Sequence, residues 1–240
     1  MSGPSVAPRL PPWWLDEAGR PTAAPELEGD TAADVCIVGG GYTGLWTALA
    51  LKERDPSLQV MLLESEICGA GPSGRNGGFL HGYWAGLADL LPLLGRERAL
   101  QLARAGERIV PAVRAFCESR GEDVWLRESG MLMVSASPSQ DEAVDSAVAA
   151  AVKVDAGEQA VPLDAQDVAE RIRSPVFRRG VYFPDGATVQ PARLVHALRR
   201  AAVDAGVGLY EHTPALRIRA GSVATPRGTV RAPEIVVAVN

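Results

Sequence analysis

The run Val35-Cys36-Ile37-Val38-Gly39-Gly40-Gly41-Tyr42-Thr43-Gly44 constrains this chain more than any other segment. An apolar stretch of strand length stops at a G-x-G-x-x-G and resumes as Leu45, Ala48 and Leu49 at helical spacing. A second apolar run, Gln59–Leu63, ends at Glu64, twenty residues past the last glycine of the motif. Strand, turn, helix and strand in this order make a β-α-β unit, the opening of a parallel sheet. Each motif residue has a physical task. Gly39 permits the tight turn, Gly41 lets a diphosphate approach the backbone, and Gly44 lets helix and strand pack closely. The N–H groups of Gly41, Tyr42 and Thr43 would face phosphates at the positive end of the helix. Glu64 would accept hydrogen bonds from an adenosine ribose. The unit alone does not separate FAD from NAD, because both carry adenosine diphosphate.

The 240 residues predict between one and two domains. With 47% hydrophobic and 22% charged residues, the chain has globular composition. A net charge of −5 gives no general attraction for nucleic acid or an anionic membrane. The charge is uneven: residues 136–170 are strongly acidic and residues 171–240 strongly basic. A basic third is either a phosphate patch or the partner of the acidic block, and charge balance favours the second. Cys36, Cys68 and Cys117 are odd in number and widely spaced, which argues against a disulfide framework or a zinc site and fits a reducing compartment. No signal peptide is visible, and the uncharged stretch Val35–Leu51 is too short and glycine-rich for a membrane span. The chain therefore reads as cytoplasmic.

The coarse organisation follows from periodicity. Residues 1–30 hold six prolines and no apolar period, and read as an extended arm pinned by Trp13 and Trp14. A glycine-rich loop, Cys68–Gly78, follows the β-α-β unit. Arg96–Arg120 predicts a long amphipathic helix bent at Pro111, and Val124–Leu126 and Met131–Ser135 predict strands hinged at Gly130. Helices are expected over Gln140–Val154, Leu163–Arg171 and Pro191–Ala205, with strands at Val181–Phe183 and Gly208–Tyr210. Leu216–Arg219, Ser222–Ala224 and Thr229–Arg231 predict a β-meander, and Ile235–Val239 a last buried strand. The expected fold is α/β: a discontinuous Rossmann-like dinucleotide domain (31–95 and 180–240, a parallel sheet with a β-meander) and a partial α+β substrate domain (96–179).

The loop Gly69-Ala70-Gly71-Pro72-Ser73-Gly74-Arg75-Asn76-Gly77-Gly78 is longer than a simple crossover requires. Together, GGGYTGLWTALAL and LLESEICGAGPSGRNGGF resemble the FAD-dependent oxidoreductases of the D-amino-acid oxidase/glycine oxidase superfamily, within it the γ-glutamylputrescine-oxidoreductase-like branch. The resemblance implies FAD as cofactor. It also implies that Ser73, Arg75, Asn76, Gly77 and Gly78 contact the diphosphate and approach the flavin ring. Asn76 stands nearest the position where some relatives carry a flavin-linked His, so the flavin is expected to be non-covalent. Phe183-Pro184-Asp185-Gly186 through Leu194, then Thr213-Pro214-Ala215-Leu216, is similar to the return into the FAD domain, where Ala215 would meet adenine through its backbone.

The resemblance implies an FAD-dependent oxidation of a C–N bond in a small-molecule amine or amino acid, by hydride transfer to flavin. The family continues past the strand Ile235–Val239, so the chain reads as truncated and no catalytic residue is assigned. Two other readings stand beside it: an inactive FAD-binding remnant, and an NAD-binding dehydrogenase. Metal, nucleic acid and membrane are not expected as partners, and substrate identity, electron acceptor and oligomeric state are left open.

Overall fold

The computed structural model describes residues 12–239. They fall into two compact units, Met1–Gly77 with Gln190–Asn240, and Gly78–Val189. The second unit is wider at both ends than the expected 96–179.

In the first unit, four parallel strands lie in the order Glu234–Val237, Val35–Val38, Val60–Leu63, Gly208–Tyr210. Val35–Val38 is buried at every position, as a central parallel strand covered on both faces should be. Its alternate residues serve different layers. Cys36 and Val38 pack with Leu63, Val223 and Val230, where a second sheet covers one face. Ile37 faces the helix Tyr42–Arg54 at Gly44, and that helix packs against Pro191–Asp204. The second sheet is the expected meander, Arg217–Arg219, Ser222–Thr225 and Gly228–Arg231, with Thr31–Ala32 added parallel to its last strand.

The second unit holds an antiparallel sheet ordered Met131–Val134, Gly180–Phe183, Val161–Leu163. Pro162 sits on an edge strand, the place where a missing N–H costs least. The helices Leu87–Gly106 and Pro138–Lys153 share a core with Phe183 and Val181.

Five expectations are corrected. The last strand is Glu234–Val237 and is not buried: it is an edge of its sheet, half-buried at Ile235 and Val236 and exposed at Val237. The arm is not wholly extended: Trp13–Glu17 is a helical turn, and residues 1–11 lie outside the described residues. The helix that runs to Gly106 is interrupted at Gly95, where φ is 76°, so its long second part begins at Arg96 as expected, but it breaks at Glu107–Arg108 rather than bending at Pro111. Pro111 instead occupies the first turn of Ile109–Arg120, where its missing N–H would have no intrahelical acceptor, and the first helical bond is Ala112 N–H to Arg108 O. Val124–Leu126 is not a strand, because Trp125 adopts a φ of 55° and only Arg127 bridges to Thr188. Leu163 belongs to a strand, and the next helix starts at Ala165 behind an Asp164–Asp167 capping box.

The basic third divides its charges between two acidic regions. Arg178 and Arg179 pair with Asp141 and Asp145 of the acidic block. Arg193, Arg227 and Arg231 pair with Glu17, Glu26, Glu28 and Asp30 of the arm and its continuation.

Candidate nucleotide site

The strand Val35–Val38 delivers the chain into the turn Gly39-Gly40-Gly41, and the helix begins at Tyr42. Gly39 has a φ of 113°, and a Cβ there would strike the carbonyl of Ala238 in the neighbouring segment. A Cβ on Gly44 would strike the Gly39 carbonyl, so the close helix–strand approach demands glycine. Gly40 is equally confined, by the Cys68 sulfur, although the motif treats it as a variable position. The N-cap, Gly41, has no side chain to satisfy the first-turn amides. Those amides present the positive end of the helix dipole.

The Cys68–Gly78 loop closes over this turn. Gly69 N–H donates to the Gly40 carbonyl at 3.1 Å, and the Ser73 hydroxyl accepts the Tyr42 N–H at 3.1 Å. A Cβ on Gly41 would lie 2.7 Å from that hydroxyl, so Gly41 leaves room first for Ser73. Because the Ser73 oxygen accepts from Tyr42, its own O–H is oriented away from that amide and is able to donate to an anion. Tyr42 also anchors the site from behind: its hydroxyl donates to the Pro191 carbonyl at 2.8 Å, and burial pushes its pKa up.

Glu64 lies at the end of Val60–Leu63, beside the turn. One carboxylate oxygen accepts the Gly40 N–H at 2.7 Å; the other accepts Glu66 N–H at 2.9 Å and the Ser65 hydroxyl at 3.0 Å. The carboxylate is therefore held in place before any ligand arrives. Its chain carbonyl accepts Thr213 N–H at 2.8 Å, which brings the Thr213–Ala215 segment alongside. Ala215 itself is half-buried at the margin of the core under the meander.

The remaining loop residues separate. Asn76 turns inward, donating to the Pro72 and Ser73 carbonyls at 3.2 and 2.9 Å, so its amide shapes the loop. Arg75 donates to the Gly71 carbonyl at 3.3 Å and lines a cleft that includes neither Gly39–Gly44 nor Glu64. Gly77 is exposed, and Gly78, with a φ of 74°, belongs to the second unit. Gly39, Gly41, Tyr42, Thr43, Gly44, Glu64 and Ser73 thus converge in one place.

Two partners escaped the sequence. Gln190 caps the helix Pro191–Asp204 by accepting Arg193 N–H at 2.9 Å, and its amide donates to Glu17 at 2.6 Å. Glu211, fully buried, accepts Cys68 N–H at 2.8 Å and so holds the first residue of the loop. Burial alone would push the Glu211 carboxyl up; Arg199 and the Cys68 and Ala24 amides bring it below the usual range. No local pattern announces either residue.

The site fits the adenosine diphosphate part of FAD. The Tyr42 N–H, expected to face phosphate, is taken by Ser73 instead; the site offers a helix N-terminus without a side-chain cap, a hydroxyl free to donate, and a fixed carboxylate one strand away. Residues 34–240 match the family described as DAO, FAD dependent oxidoreductase. The chain is 32% identical over 225 residues to the probable oxidoreductase OrdL of Rhizobium meliloti (strain 1021), covering 90% of this chain and 51% of that protein. Over 54 residues it is 52% identical to γ-glutamylputrescine oxidoreductase of Escherichia coli (strain K12), covering 22% of this chain and 12% of that protein. Among solved structures, glycine oxidase from Geobacillus kaustophilus superposes with a TM-score of 0.70 at 26% identity, over 86% of this chain and 55% of that one. The chain spans about half the length of the OrdL protein and the glycine oxidase that it matches.

Proposed function

Since the chain belongs to the FAD dependent oxidoreductase family, we propose that it holds FAD non-covalently and forms the nucleotide-binding part of an enzyme that oxidises a C–N bond in a small amine or amino acid. The arrangement of Tyr42, Ser73 and Glu64 carries this reading. The diphosphate is bound by the first-turn amides, Thr43 N–H among them, and by the Ser73 hydroxyl. Glu64 keeps acceptor capacity for a ribose hydroxyl, since a carboxylate has about four lone-pair sites and three are engaged. The backbone at Ala215 meets adenine, and Gly77 and Gly78 lead toward the flavin ring. Arg75 and Asn76 act through the shape of the loop.

Bound FAD supplies the hydride acceptor for a C–H bond next to an amine nitrogen. The chain's own residues bind and orient it: the helix end neutralises the diphosphate, and Glu64 fixes the nucleoside. The relative named a glycine oxidase and the relative named a γ-glutamylputrescine oxidoreductase support an amino acid or amine as substrate. The family's dependence on FAD weighs against the NAD reading. Three free, buried thiols support a reducing, cytoplasmic setting, and among the described residues no helix is long and apolar enough to cross a membrane.

Anaerobic mixing of the FAD-loaded chain with a panel of amines and amino acids tests the reading. Bleaching by a substrate of this class supports it. A chain that takes up FAD and is bleached by none of them supports the remnant reading instead.

A further inference from the structure

The unit formed by Met1–Gly77 and Gln190–Asn240 contains a cleft of about 470 Å³ that shares no lining residue with Gly39–Gly44, Glu64 or Ala215. A volume of this size is within the ordinary range for small-molecule sites. The helical turn Trp13–Glu17 and the chain after it supply Leu15 and Arg20; the segment after Glu64 supplies Glu66 and Ile67; His196 and His212 come from the C-terminal part.

His196 is the informative residue. It is only 6% exposed and lines the cleft, yet among the described residues its ring makes no hydrogen bond. Among the described residues no fully buried side-chain nitrogen or oxygen lacks a partner, so the unpaired ring nitrogen of this otherwise buried residue is reached from solvent, on the side where His196 lines the cleft. Arg20, on the same cleft, has no ion pair or hydrogen bond among the described residues. Arg20 and Arg75 line the cleft together with one acidic residue, Glu66, which leaves a positive excess. Arg75 is partly committed to the Gly71 carbonyl, so one guanidinium is fully available. Leu15 and Ile67 add apolar wall.

We propose that this cleft binds a small organic carboxylate with a short apolar body, its carboxylate held by Arg20 and His196 and its chain lying against Leu15 and Ile67. One free guanidinium, with Glu66 also lining the cleft, suits a monoanion better than a phosphate dianion. Burial first, then the Arg200 and Arg199 charges, hold the His196 imidazole below its ordinary pKa. It is therefore neutral at neutral pH and contributes a hydrogen bond, while the charge comes from Arg20.

The chain has three histidines, so histidine-selective labelling gives a small set of imidazole resonances, and His196→Gln assigns the one that matters. Hexanoate is the probe and hexylamine its charge-reversed control, each titrated with FAD absent and with FAD at saturation. Hexanoate should move the His196 resonance saturably in both states, and hexylamine should not. Arg20→Ala, at an exposed position, should weaken hexanoate about tenfold without changing the fold. No His196 shift in folded protein overturns the proposal, as does an equal response to hexylamine or an affinity unchanged by Arg20→Ala. Displacement of hexanoate by FAD also overturns it, by assigning the cleft to the nucleotide.

Discussion

Arg199 grips Glu211 through two parallel hydrogen bonds, Nε to Oε1 at 2.8 Å and Nη2 to Oε2 at 2.7 Å. The same carboxylate accepts the N–H groups of Cys68 and Ala24, and Arg199 also donates to the Thr22 carbonyl at 2.9 Å. One buried ion pair therefore ties together the arm, the glycine-rich loop and the helix Pro191–Asp204. Glu211 is 0% exposed and the Arg199 side chain 11%. Removing one partner leaves an uncompensated charge in the interior.

Glu211→Ala should accordingly destabilise the chain by about 3–5 kcal/mol. Urea unfolding measures the loss, and limited proteolysis should show new cuts between residues 18 and 26 as the arm is released. An unchanged midpoint would mean that the clamp is not structural.

Gly41→Val and Gly44→Val should fail differently. At Gly41 the φ is −87° and the nearest obstacle is the Ser73 hydroxyl, the end of a side chain, so the fold survives. The isopropyl group then takes the space beside the first-turn amides, and FAD affinity is lost. At Gly44 the obstacle is the Gly39 backbone carbonyl, so the β-α-β unit itself should melt. Thermal melts by circular dichroism, with FAD titration of whichever variants fold, separate the two. Tight FAD binding by folded Gly41→Val would show that the phosphate site is misplaced.

Glu64→Gln should weaken FAD binding by about 1–3 kcal/mol. The two carboxylate oxygens serve two different backbone amides, those of Gly40 and Glu66. A glutamine has one acceptor oxygen, so one of these N–H groups loses its partner and the ribose loses a charged acceptor. Comparison of dissociation constants is sufficient, and equal values would remove Glu64 from the site.

In the second unit, Arg178, followed by the Ser135 hydroxyl, holds the Asp141 carboxyl at about 2, below its ordinary 3.8. Below that ordinary value the unfolded chain takes up a proton before the folded chain does. This contribution to stability is therefore complete above about pH 4 and is lost as pH falls toward about 2. Asp141→Asn should be less stable than the native chain at neutral pH, and the gap should close on acidification through that window. A gap that stays constant across it would contradict the assignment.

The parts of the fold legible in the sequence are those where local pattern and tertiary demand coincide. Val35–Val38 is apolar throughout because both its faces are covered, and the meander repeats short strands at turn-sized intervals. Gly39, Gly41 and Gly44 were readable because turn, cap and close packing each favour glycine. What was illegible depends on distant partners. Trp13–Glu17 is too short to hold itself as a helix; Glu17 is anchored by Arg193 and Gln190, more than 170 residues away. The stretch Leu87–Leu94, helical up to the break at Gly95 where φ is 76°, is not among the helices expected from the sequence. Arg199 and Glu211 look like ordinary surface charges until the arm and the loop fold onto them.

The proposed site for FAD, held without a covalent link, is the turn Gly39–Gly44 with Ser73 and Glu64. Folded chain is incubated with FAD, freed of excess cofactor and precipitated with acid, and absorption spectra of supernatant and pellet are recorded. Stoichiometric uptake of flavin and its complete release into the supernatant are expected. Failure of the folded chain to retain FAD would remove the nucleotide site, and flavin remaining in the washed pellet would rule out non-covalent binding.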